Sequence, residues 1–245
     1  MTDGTVVEDR VIFLGPGSAA IPERLLLAHA RGEVLFICGA GVSRPANLPD
    51  FRQLVIDVYR VLDAGVHAAL ADLPRDVCNQ WQADCKGLTD RQYAEVRRFI
   101  AGDYDVVLGM LERRLDNQTR GDSRVRREVA NCLRRGGKQP SSLHRALMRL
   151  ADRGGSTTIV TTNFDLLLEA AGKNLRPQSR TYALGSIPRP GRHMEFGGIL
   201  HIHGALDRDP ARFSELVLSD QDFGEFYLRR RIVTCLLYTS DAADE

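Results

Sequence analysis

The chain has 245 residues, 43% of them hydrophobic and 27% charged, which is enough apolar material for a sizeable core in one large domain or one domain with an insertion. A net charge of +1 supplies no global field for nucleic acid or an anionic membrane, and no apolar run approaches the ~18–20 residues that span a bilayer. The first ten residues carry acids and no basic stretch ahead of an apolar one, so they do not read as a signal peptide. Cys38, Cys78, Cys85, Cys132 and Cys235 are scattered, odd in number and never spaced C-x-x-C. That pattern argues against a disulfide framework and a cysteine zinc site, and it fits a reducing cytoplasm.

Residues 1–21 read as a loose leader with Gly15, Pro16 and Gly17 as turn formers. Pro22 opens a predicted helix to Arg31, with Leu25, Leu26 and His29 on one side, and Gly32 stops it. The apolar run Val34–Cys38 has no alternation, as expected of a strand buried on both faces, and it ends in Gly39, Ala40 and Gly41. Asp50 then caps a helix whose stripe is Phe51, Leu54, Val55, Val58 and Leu62, with Gly65 as its stop. Residues 66–140 lack strand signals. Tyr93, Val96, Ile100, Val107, Leu108, Leu111 and Leu115 predict amphipathic helices broken near Gly102, a helical insertion or cap at about 66–140. The basic residues between 113 and 138 read as a solvated helix surface, because Asp116, Asp122 and Glu128 interrupt them and no aromatics are interleaved; direct nucleic-acid binding is not expected.

Strand signals resume at Thr157–Thr162, followed by a helix from Asp165 to Ala171, a Pro-rich loop at 186–190, and a strand Ile199–His203 ending at Gly204. Glu215–Leu218 reads as a further strand. The alternation predicts an α/β fold, a Rossmann-like doubly wound parallel sheet with a helical insertion. The last twelve residues, Thr234–Glu245, do not continue the pattern. Their string resembles translated sequencing-adapter read-through; the alternative is a native C-terminal strand and tail. On the first reading the domain spans 22–233 and is C-terminally truncated, which leaves an open sheet edge and a poorly soluble chain.

Four short motifs carry chemistry. Gly39-Ala40-Gly41-Val42-Ser43 follows a buried strand, where glycines let the backbone approach a pyrophosphate and exposed amides bind its oxygens. In Pro49-Asp50-Phe51-Arg52 the arginine can neutralise a phosphate and the aromatic can cover a reactive sugar; the plainer reading makes Asp50 an N-cap, Phe51 core and Arg52 solvated. Thr161-Thr162-Asn163-Phe164-Asp165 sits at a strand end, where ligands of open α/β sheets bind. Asn163 can bond a ribose hydroxyl or place a water, Asp165 can accept from a carboxamide, and either can instead cap a helix. In His201-Ile202-His203-Gly204, alternation puts both histidines on one face, and His203 at the strand end is a candidate general base.

GAGVS followed by PDFR, then TTNFD, then HG resembles the sirtuin superfamily over about residues 22–228. Threonine before the Asn, and the stretch IHGALDRDP to LVLSDQDF, resemble its bacterial branch of NAD hydrolases in anti-phage defence. The resemblance implies cleavage of NAD to nicotinamide and ADP-ribose, with Asn163 and His203 as the catalytic pair. It places Gly39, Ala40, Gly41, Ser43, Asp50, Phe51, Arg52, Thr162 and Asp165 against NAD. Deacylating sirtuins carry a four-cysteine zinc module after the histidine; here only Cys235 follows it, so no metal is expected. The later strands with a glycine–serine loop for the adenosine half are also missing, so NAD binding by this chain alone is expected to be weak. An NAD-dependent protein deacylase and a non-catalytic NAD or ADP-ribose sensor are the alternative readings. The expected partners are NAD, further copies of the chain as a homo-oligomer, and a C-terminal sensor domain; a membrane is not among them.

Overall fold

The computed structural model describes residues 10–74, 84–116, 123–136, 139–152, 157–175, 179–183, 197–206 and 215–229. The Pro-rich loop at 186–190, Cys78, Cys235, Arg120, Lys138 and the tail 234–245 lie outside the described residues. Two compact units divide the chain, Met1–Phe36 and Ile37–Glu245.

In the first unit, part of the expected leader is ordered as a small antiparallel ribbon: β1 (Val11–Ile12) pairs with β2 (Ile21–Pro22). Helix α1 (Glu23–Arg31) starts directly after Pro22, whose φ of −59° already suits a helix start. Gly32 closes it, as expected.

The second unit is built on a four-stranded parallel sheet in the order β3-β4-β6-β5, comprising β3 (Phe36–Cys38), β4 (Thr158–Thr161), β5 (Arg180–Tyr182) and β6 (Gly198–His201). β4 and β5 both run parallel to β6, with Thr161 opposite His201 and Tyr182 opposite Leu200. Ile159 and Ile199 are fully buried, which is why these short β-branched runs become central strands. The fold is the expected α/β, Rossmann-like sheet flanked by helices. The three anticipated strands that form are each shorter than their apolar runs; β3 is an edge strand with Ile37 75% exposed, not a strand buried on both faces, and β5 was not anticipated.

Between β3 and β4 the chain is helical. Asp50 accepts from the Gln53 N–H at 2.9 Å and starts α2 (Phe51–Leu62). Gly65 does not end it. Asp63 turns extended (φ −155°, ψ 92°), accepts from the Val66 N–H, and so starts α3 (Ala64–Ala71), which contains Gly65. A reciprocal Thr89–Gln92 cap opens α4 (Asp90–Ala101), and Gly102 at φ 85° separates it from α5 (Tyr104–Asp116), the predicted break. Then come α6 (Arg124–Arg135) and α7 (Ser142–Ala151). Val55, Val58, Tyr59, Leu70, Val107, Leu111 and Val129 form the middle of one apolar core among these helices.

Two expectations fail here. The basic stretch is not all solvated: Arg126 is 1% exposed. It donates to Glu112 at 2.9 Å, to Asp222 at 2.6 Å and to the Leu216 carbonyl at 2.8 Å. Arg114 is also largely covered, between Glu95 and Asp63. Likewise Leu216–Leu218 is buried but is not a strand. Its polar backbone groups are taken by other partners: Leu216 O by Arg126, Val217 N–H by His203 O, and the Leu218 and Ser219 N–H groups by the Asp222 carboxylate. The Leu218 and Ser219 donors are spent this way and cannot join a ladder. Asp222 belongs to the short α9 (Asp220–Phe223), which runs into a wider turn, Gly224–Arg229. One further helix, α8 (Leu167–Ala171), follows β4 and begins two residues later than expected, because Asp165 spends its carboxylate on the Leu167 N–H at 3.1 Å.

Candidate functional site

Parallel strands bring their carboxyl ends to one edge, and in this unit three neighbouring ends carry the predicted motifs. Gly39 follows β3, Thr162 and Asn163 follow β4, and His203 lies two residues past β6. The Thr162 N–H bonds to Cys38 O at 3.1 Å and the Ile202 N–H to Thr161 O at 3.0 Å, so the three ends are tied in register. Above them lies a cavity of about 410 Å³, within the size range of small-molecule sites. Ala40, Ser43, Phe51, Thr162, Asn163, Asp165 and His203 line it, with Asp105 of α5, Leu133 of α6, Val217 and Phe223 as further wall.

Asn163 is held on every side. Its backbone N–H donates to Thr161 Oγ1 at 3.1 Å. Its side-chain Nδ2 donates to Gly39 O at 3.1 Å and to Ser43 Oγ at 3.0 Å. Both amide protons are thereby used, which fixes the amide's orientation and leaves Oδ1 as the uncommitted acceptor. Ser43, 3% exposed, donates its own proton to Asp165 Oδ2 at 2.8 Å. Its other neighbour is His144 Nε2 at 3.3 Å. His144, fully buried at the start of α7, receives the Ser141 N–H at Nδ1 (3.2 Å) with Ser141 Oγ 2.7 Å away. A ring that accepts at Nδ1 carries its proton on Nε2, so His144 donates to Ser43. Burial, with Arg145 nearby, lowers its pKa against the pull of Asp165, which keeps the ring neutral.

His203 sits in the turn after β6, not on the strand, so alternation does not put it beside His201. Gly204 makes that turn: its φ is +86°, and a Cβ there would lie 2.8 Å from Glu215 O. The His203 ring packs edge-on against Phe223 (5.3 Å) and Tyr227 (6.1 Å) and tilted over Phe164 (6.4 Å). It makes no hydrogen bond to another described residue. Burial lowers its pKa, so it is a neutral proton acceptor at physiological pH. The same burial in aromatic surroundings pushes the Tyr227 hydroxyl up to about 12.

The remaining predicted residues divide. Gly41 is exposed, and no atom lies within 4 Å of where its Cβ would be, which leaves room for a ligand to approach the backbone. Phe51 reaches the cavity while meeting Tyr104 edge-on at 6.2 Å. Asp50 is occupied as the α2 cap. Arg52 turns away: it donates to Leu73 O at 2.7 Å beyond the end of α3, and its guanidinium lies 5.2 Å from the Phe99 ring centre. Sequence reasoning missed His144 and Glu169. The available signal was Ser141 three residues before His144, a helix-start box whose reciprocal partner is here an imidazole. Among the described residues no group of three or more His, Cys, Asp or Glu comes together as a metal site. Nor is any helix of the described residues long and apolar enough to cross a membrane.

A family model described as the SIR2-like domain matches residues 157–242, which include β4, β6 and the Asn163 and His203 motifs. An uncharacterised protein, y4cA, of Sinorhizobium fredii (strain NBRC 101917 / NGR234) is 35% identical over 227 residues. That alignment covers 90% of this chain and 16% of the relative, so the chain spans about a sixth of the relative's length. Over residues 157–242 the chain is thus similar to the SIR2-like domain.

Proposed function

We propose that the cavity binds NAD and hydrolyses its nicotinamide–ribose bond, giving nicotinamide and ADP-ribose. The observation that carries this reading is the locked Asn163 amide, its two protons spent on Gly39 and Ser43, facing the same cavity as a half-buried, uncharged His203. The fit to NAD is chemical. Gly39–Gly41 offer open backbone for phosphates, Asn163 and Asp165 offer acceptors for ribose hydroxyls and a carboxamide, and Phe51 and Phe223 offer apolar cover for the reacting sugar.

The glycosidic C–N bond breaks with its electron pair going to the nicotinamide nitrogen, which leaves positive charge on the ribose ring. Water attacks the ribose carbon and gives up a proton. In this chain Asn163 Oδ1 orients the water or the ribose hydroxyls, and His203 takes the proton. The carboxylate of Asp165 and the fixed dipoles around Asn163 favour the developing charge without moving.

The test uses the purified full-length protein with NAD alone. Nicotinamide and ADP-ribose should appear, and Asn163→Ala and His203→Ala should each abolish them. Nicotinamide appearing only with an acylated peptide would replace hydrolysis by deacylation, and NAD binding without turnover would make the site a sensor. We also place the hydrolase in anti-phage defence in the bacterial cytoplasm, as a homo-oligomer with a C-terminal sensor domain. The Thr162-Asn163 form of the motif and the bacterial source of the relative support this. Cellular NAD that stays constant when phage infects cells expressing the full-length protein would contradict it.

A further inference from the structure

We propose that His201 and Glu169 form a proton-holding pair that positions Asn163 from behind, so that the site is disabled at alkaline pH when the pair gives up its proton. The catalytic arm of this idea rests on the hydrolase reading above; the proton and its link to Asn163 do not.

His201 ends β6 and is fully buried. Its Nδ1 lies 2.8 Å from the Asn163 backbone carbonyl and its Nε2 lies 2.8 Å from Glu169 Oε1 of α8. A carbonyl only accepts, so Nδ1 must carry a hydrogen. Nε2 then faces a carboxyl oxygen at hydrogen-bond distance, and one more proton must lie between them. A neutral ring against a carboxylate would set two lone pairs 2.8 Å apart. The pair therefore holds one proton beyond neutral imidazole plus carboxylate. The Thr181 hydroxyl of β5 donates to the same Oε1 at 3.2 Å.

Burial alone would expel that charge. The hydrogen bond and charge of Glu169, the Asn163 carbonyl and the charge of Asp165 outweigh it, and the His201 pKa is raised. The titratable groups facing the pair are thus Glu169 on α8 and Asp165 on the β4–α8 turn, both acidic; β5 contributes Thr181. Lys173 of α8 shares with Glu169 the lining of a separate cavity.

Asn163 is reached by two histidines in opposite states. Neutral His144 fixes the side chain through Ser43, and charged His201 fixes the backbone directly. Loss of the His201 proton sets its ring against Glu169, and relief requires the ring to move with its grip on the Asn163 carbonyl. The role is positioning: turnover should fall while NAD affinity changes little.

The experiment follows the imidazole nitrogens of His201 and the Asn163 side-chain amide by NMR in the full-length protein without NAD, from neutral to alkaline pH, in the native chain and in Glu169→Gln. We expect both His201 nitrogens to stay protonated well above the ordinary histidine range in the native chain. In Glu169→Gln the transition should fall by about 1–3 pH units, and in both proteins the Asn163 amide should shift at the same pH as the ring. A native His201 that titrates at the ordinary value overturns the proton-holding pair, and the native titration alone decides this if the variant does not fold. An Asn163 amide that does not move with His201 overturns the positioning role. In nicotinamide release, the alkaline limb of kcat should move down in Glu169→Gln with KM within about twofold, and an unmoved limb overturns the coupling to turnover. If the native protein releases no nicotinamide, the hydrolase reading fails while the NMR titration still decides this one.

Discussion

Two buried polar networks in this chain solve the same problem in different ways. In the helical part, Arg126 is paired with Glu112 and Asp222, and Arg114 with Glu95 and Asp63, while the Tyr59 hydroxyl donates to Glu95 at 2.9 Å. At the strand ends, Ser43, His144 and Asn163 are linked by neutral groups, with the charge of Asp165 at the rim. The first network spends full charges to hold irregular backbone, since Arg126 pins the Leu216–Leu218 segment whose Val217 lines the cavity. The second spends only neutral donors around the Asn163 side chain, which leaves acceptors for a ligand. Burying charge fixes a wall, and exhausting neutral donors orients a reactive amide.

Breaking the first network should have the largest effect. Arg126→Ala leaves Glu112 and Asp222 buried without their cation and should destabilise the fold by about 3–5 kcal/mol, read from urea denaturation. Arg126→Met, which fills the space, should still lose ligand binding if the arginine's grip on Leu216 O shapes the wall. Binding retained in a stable Arg126→Met protein would separate scaffold from site.

In the second network, Ser43→Ala removes the acceptor for Asn163 and His144 and the donor to Asp165. We expect a loss of about 1–3 kcal/mol, seen mainly as a roughly ten- to hundred-fold lower turnover with the fold intact. Turnover unchanged in that variant would mean that Asn163 does not need its amide fixed.

His144 gives a smaller, pH-dependent effect. Its folded pKa is lowered, so the unfolded chain binds the proton more readily. Its contribution is present above the ordinary value of about 6.5 and is lost as pH falls through the folded value. The stability difference between the native chain and His144→Gln should therefore shrink on acidification below about pH 6.5. A difference that grows on acidification would mean that the ring is charged in the fold.

Arg52→Ala should have the smallest effect on the site. Loss of its bond to Leu73 O and its contact with Phe99 should lower stability by about 1 kcal/mol, while NAD affinity stays within about twofold. A large loss of affinity would mean that Arg52 leaves α3 to meet the ligand.

The division explains what the sequence could disclose. Strand-end motifs were legible because Gly39–Ser43, Thr161–Asp165 and His203 each sit where a short apolar run stops, and those stops meet at one sheet edge. The helical insertion was legible from its apolar stripes. Partner choice was not. Arg52 has a phosphate-binding spacing and the Leu73 carbonyl takes it; Arg126 lies in a string of basic residues and is turned inward at the start of α6. Glu215–Leu218 looks like a strand because it is apolar, but the Leu218 and Ser219 donors are claimed by Asp222, which lies in α9. His144 and Glu169 are single polar residues on helices, and only the fold brings them to Ser43 and His201.

The most direct measurement of the central claim is nicotinamide release from NAD by the full-length protein and by His203→Ala, followed from pH 5 to 8. A half-buried imidazole with a lowered pKa is already neutral across most of that range, so the native rate should fall only toward the acid end, and His203→Ala should release no nicotinamide at any pH. Release by His203→Ala at the native rate would contradict the account.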